Sequence, residues 1–144
     1  MNTTYLEIYE AFKDKITDYD LARYSPELQD ELLLNLLRSA CRRFCRICSS
    51  DLNDRDDELG EFNSELSEED IDIITEWMVV NWLKPIKNDL DNLHNRINTN
   101  EFSSISPANM LLALNEHYEN SRKHARTLMN QYSYVCGDLE TLKP

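Results

Sequence analysis

A chain of 144 residues with 27 acidic and 15 basic side chains carries a formal charge of -12, which argues against gripping nucleic acid by neutralising phosphates. Its length suits one domain whose core needs no metal or disulfide. Only 2 Gly and 4 Pro punctuate it, too few for the turns of an all-β domain or for a glycine-rich nucleotide loop, so an all-α fold is expected.

The opening MNTTYLEIYE lacks the basic and apolar regions of a signal peptide, and no apolar run approaches the ~18 residues of a membrane span. The cysteines Cys41, Cys45 and Cys48 crowd one short stretch, unlike a spaced disulfide framework. The expectation is a soluble protein made and kept in a reducing cytoplasm, without a membrane partner.

Thr4 and Glu7 have capping-box spacing, and Tyr5, Ile8, Phe12 and Ile16 recur at helical intervals, predicting a helix over 4–16. Ser25-Pro26 starts a second helix, 26–49, whose stripe is Leu33, Leu36, Leu37, Ala40, Phe44, Ile47 and Cys48. Residues 50–66 read as an acidic loop. Ser67 and an acidic first turn open a helix over 68–84, apolar on nearly all sides and so expected to be surrounded by neighbours.

Pro85 predicts a kink or break, after which Ile86, Leu90, Leu93 and Ile97 resume the period in a helix over 86–98. Ser106-Pro107 repeats the earlier start and opens a helix over 107–135, which stops before Gly137; residues 137–144 form a short extended tail. The expected architecture is a single domain, 1–144, built as a bundle of about four to five helices. Its core should centre on Leu36, Phe44, Trp77, Trp82, Leu114 and Leu128.

From Asp51 to Glu76 there are 12 acids and only Arg55 as a base, whereas the rest of the chain has 15 acids and 14 bases. The block reads either as a solvated loop feeding a helix N-terminus or as an electrostatic surface for a partner. Arg38, Arg42, Arg43 and Arg46 form a basic ridge near the end of the second helix, complementing its dipole or meeting a partner. Arg122, Lys123 and Arg126 make a smaller basic face on the last helix.

Cys41, Cys45 and Cys48 share a helix face, but they merge with an apolar stripe and lack the fourth ligand and paired knuckles of structural zinc. They read as inert buried thiols. His117 and His124, seven apart, read as polar surface residues. Asp54, Asp56, Glu58 and Glu65 imitate a calcium loop, but Leu59 stands at its required glycine position. No serine elbow or activated cysteine appears. A non-enzymatic protein without cofactor or metal is expected.

The segments LSEEDIDIITEWMVVNWLKPI and SPANMLLALNEHYENSRKHARTLMNQYSYVCGDL, with the opening YLEIYEAFKDKITDYDLARYSPELQDELLLNLLRSACRRF, resemble the head-tail connector, or neck adaptor, proteins of long-tailed double-stranded DNA bacteriophages. The resemblance implies an all-helical virion structural protein of the neck, assembled into a homo-oligomeric ring, commonly dodecameric. Its implied partners are the portal protein and the adjacent neck or tail-completion protein, with DNA passing through without sequence-specific binding. Interface candidates are Arg38, Arg42, Arg43, Arg46, Asp54, Asp56, Asp57 and Glu58, with Asp138, Leu139 and Leu142 in the tail. An electronegative lumen would avoid attractive phosphate contacts that slow sliding. The other reading is an acidic helical binding module, such as a phage-encoded inhibitor mimicking the charge of DNA.

Overall fold

The computed structural model describes residues 2–16, 25–98 and 105–136. These form four helices and one small hairpin: α1 (Tyr5–Lys15), α2 (Pro26–Phe44), β1 (Arg55–Asp56), β2 (Glu61–Phe62), α3 (Glu68–Asn98) and α4 (Ile105–Cys136). The fold is mostly helical, as its poverty in turn residues implies.

The N-cap Thr4 starts α1 by accepting the Glu7 amide, and Tyr5, Ile8 and Phe12 form its buried face. Ser25 caps α2 by accepting from the Leu28 amide, with Pro26 just inside the helix. The buried stripe of α2 is Leu33, Leu36, Leu37, Ala40, Cys41 and Phe44. This helix stops short of the predicted 49. The Ile47 amide donates to the Phe44 carbonyl, a tighter turn that ends the regular helix and leads into the segment that follows.

Helix α3 is the centre of the molecule and packs against α1, α2 and α4. At its start Ser67 Oγ accepts the Asp70 amide while Asp70 Oδ2 accepts the Ser67 amide, a reciprocal capping box. Ile73, Ile74, Trp77, Met78, Val79, Val80, Trp82 and Leu83 are all buried, more than a single stripe, because neighbours cover several faces. The ring of Phe12 on α1 meets Trp82 edge-on at 6.3 Å, and Trp77 Nε1 faces Met129 Sδ of α4 at 2.9 Å.

Three expectations change. Helix α3 runs from Glu68 through Pro85 to Asn98 as one element, so the predicted helices 68–84 and 86–98 are joined. Proline removes a hydrogen bond and costs about 3 kcal/mol in a helix interior. Packing on both sides offsets this loss: Leu83 is fully buried, and Lys87 lies 5.2 Å from the Tyr118 ring centroid of α4. Leu128 is only partly buried at the edge of the core, unlike Leu36, Phe44, Trp77, Trp82 and Leu114. Finally, the expected acidic loop contains a hairpin and buries Leu52, Phe62 and Leu66. No helix among the described residues is long and apolar enough to cross a membrane.

Candidate interaction surface

The acidic segment is tied to the body through its backbone. Arg55 pairs with Phe62 and Asp56 with Glu61 in an antiparallel register. The N-terminal residues zip along the other edge: the Phe62 amide donates to the Thr3 carbonyl at 2.9 Å, and the Tyr5 amide to the Gly60 carbonyl at 2.8 Å. Thr3 Oγ1 accepts the Leu66 amide at 2.8 Å, satisfying a buried donor. Gly60, at φ 69°, supplies the left-handed turn residue, a conformation that disfavours side chains.

Asp57 is the polar anchor. Its carboxylate accepts from the Tyr5 hydroxyl at 2.5 Å and from Arg38 Nη2 at 2.7 Å, while Arg55 Nε lies 3.4 Å away. The Tyr5 hydrogen bond, with Arg38 next, holds the Asp57 pKa below its ordinary value. Burial, reinforced by Asp57, pushes the Tyr5 hydroxyl up. Both effects keep the pair in the charge states that hold the hairpin onto α1 and α2.

The other interface candidates differ in what they touch. Asp56 Oδ1 accepts the amides of Glu58 and Leu59 and fixes the loop between the strands. Asp54 Oδ1 accepts from Asn63 Nδ2 at 2.7 Å. Glu58 is exposed without a partner among the described residues, and beside it Leu59 is 71% exposed. On α2, Arg38 is committed to Asp57, and the Arg43 guanidinium sits 4.7 Å above Trp77. Arg42 and Arg46 are exposed and unpaired among the described residues. Asp138, Leu139 and Leu142 lie outside the described residues.

Ligand-like patterns dissolve into local roles. Among the described residues, no group of three or more His, Cys, Asp or Glu side chains is placed to hold a metal. Cys41 is buried, and burial raises its thiol pKa to about 12; Cys48, half-buried, is raised to about 11 for the same reason. Such thiols stay protonated and weakly nucleophilic at neutral pH. Tyr132 accepts the Ser49 amide at 3.0 Å and shares a hydrogen bond with Ser49 Oγ at 2.8 Å, fastening α4 to the segment that follows α2. His124 stands at 4.0 Å from Glu76, which also receives Lys15 at 3.2 Å.

The role of Tyr5 has no local signal, because its partner Asp57 lies 52 residues along the chain, whereas Arg55 works through the near neighbours Leu52 and Asp57. The apolar trio Leu52, Phe62 and Leu66 within an otherwise acidic segment was the legible sign that it packs. Comparisons with protein-family models, curated proteins and solved structures returned no match.

Proposed function

We propose that this chain is a non-enzymatic subunit of a phage head-tail connector ring, lying between the portal and the next neck or tail-completion protein. The observation that carries the reading is a run of exposed carboxylates on an acidic segment anchored to the helices. Glu58, Glu65, Glu68 and Glu69 are exposed without partners among the described residues, on a segment held by the hairpin, Asp57 and the capping box. Repeated around a ring, this charge would repel the phosphate backbone and let DNA pass without adhesive contacts. The sequence likeness supplies the assembly context.

Mass spectrometry of purified virions tests this reading: the chain should be present in copy number comparable with the portal, and a particle reconstruction should place its density beneath it. Its absence from particles, with abundance confined to infected cells, would reject the connector. That outcome favours the acidic inhibitor, since the same exposed carboxylates would suit a nucleic-acid-binding host protein.

A further inference from the structure

The hairpin tip and the end of α2 carry exposed side chains of opposite charge that have no partner among the described residues. Arg55 donates to the Leu52 carbonyl at 3.0 Å and is close enough to Cys41 to oppose the rise in its pKa. Two residues later, Asp57 reaches Arg38, about one helical turn nearer the N-terminus of α2. Arg42 follows Arg38 by about one helical turn, in the last turn of α2, and Arg46 lies just beyond the helix; both are exposed.

We infer that the Glu58-Leu59 tip of one copy docks on the Arg42-Arg46 face of a second copy, as a head-to-tail contact. This rests on the connector reading and names the chemistry by which its subunits would join. Complementary charge selects the occupant: the tip offers an exposed carboxylate and the receiving face two exposed guanidiniums, none with a partner among the described residues. Leu59, 71% exposed, adds an apolar knob, and Cys45 and Ile47 beside the arginines are only partly buried. The Asp56 hydrogen bonds to the Glu58 and Leu59 amides already order the tip, reducing the entropy lost on docking. Different patches meeting in this manner form a heterologous interface, the type that closes into a ring when its rotation permits.

Sedimentation of the purified full-length chain over a wide concentration range tests the contact. Association should rise with concentration and weaken as salt is raised from about 50 to about 500 mM. Glu58→Arg should weaken it about tenfold or more, and Arg42→Glu with Arg46→Glu should do the same. All three substitutions in one chain should restore association by reversing the pair, while circular dichroism confirms helices in every variant. A wild-type chain that stays monomeric throughout, or a triple variant as weak as its parents, overturns this contact. The virion measurement decides the connector reading separately: a chain present in particles without charge-swap rescue removes only the contact, whereas a self-associating chain absent from particles removes only the connector.

Discussion

Between Ile73 and Leu83 the chain is surrounded by its own apolar side chains, whereas between Arg55 and Phe62 it is held by backbone bonds and one carboxylate. The first region derives its order from surface removed from water. The second adds distant polar partners and one apolar anchor, Phe62, which is fully buried and meets Tyr5 edge-on at 5.2 Å. The central helix is therefore the stability element and the hairpin the presentation element, and perturbing each should give a different response.

The largest effect is expected at the centre. Trp77→Ala would remove a fully buried ring and expose the Met129 and Arg43 contacts, costing about 3–5 kcal/mol. Equilibrium urea denaturation measures this, and a loss within the scatter of surface substitutions contradicts the central role. Phe62→Ala comes next at about 3 kcal/mol, because the hairpin can relax more easily than α3. Its distinguishing readout is hydrogen exchange: the Phe62 and Tyr5 amides should lose protection while those of α3 retain theirs.

These two sites also explain what was legible beforehand. Trp77, Trp82 and Leu83 announce a surrounded helix because apolar residues occupy nearly every face, and that pattern is local. The Ser25-Pro26 and Ser67-to-Asp70 starts are similarly complete within a few residues. At Pro85 the break alternative does not occur: the cost of proline is local, whereas α3 continues through it and packs beyond it against α4. The hairpin was missed for the same reason: Thr3 and Tyr5 supply its partners from another part of the chain. Charge counts identified the acidic segment but could not distinguish Asp57, an anchor, from Glu58, an exposed side chain.

A third difference is a pH response dominated by the buried body. Burial raises Cys41 to about 12, Cys48 to about 11, and Tyr9 and Tyr132 to about 12. The folded state therefore binds these protons more tightly than the unfolded chain. Below about pH 7.5 the groups are protonated in both states and their linkage is flat; as pH rises further, the unfolded thiols ionise first, the phenols next, and stability falls. By about pH 10.5 Cys41 alone should account for a loss of about 2 kcal/mol, and the four groups together for about 5 kcal/mol. Urea midpoints from pH 8 to 11 measure it, and Cys41→Ala should flatten the decline. The same slope in that variant would remove Cys41 from the account.

The smallest effects distinguish anchor from tip, and they refine the comparison most sharply. Asp57→Asn keeps the side chain's shape but removes the charge facing Arg38 and Arg55, which should cost about 1 kcal/mol because the pair is partly exposed. The lowered Asp57 pKa makes its contribution complete above the ordinary carboxylate range and lost as pH falls through the folded value. The gap between wild type and Asp57→Asn should therefore shrink in acid. Glu58→Lys, one residue along, should change folding stability by less than about 0.5 kcal/mol, since its side chain has no intrachain partner among the described residues. Thermal melts of the two variants in parallel check this ordering at concentrations where the chain is monomeric. Equal losses would mean that Glu58 also anchors the hairpin, while a loss at Glu58 alone would reverse the assignment of anchor and tip.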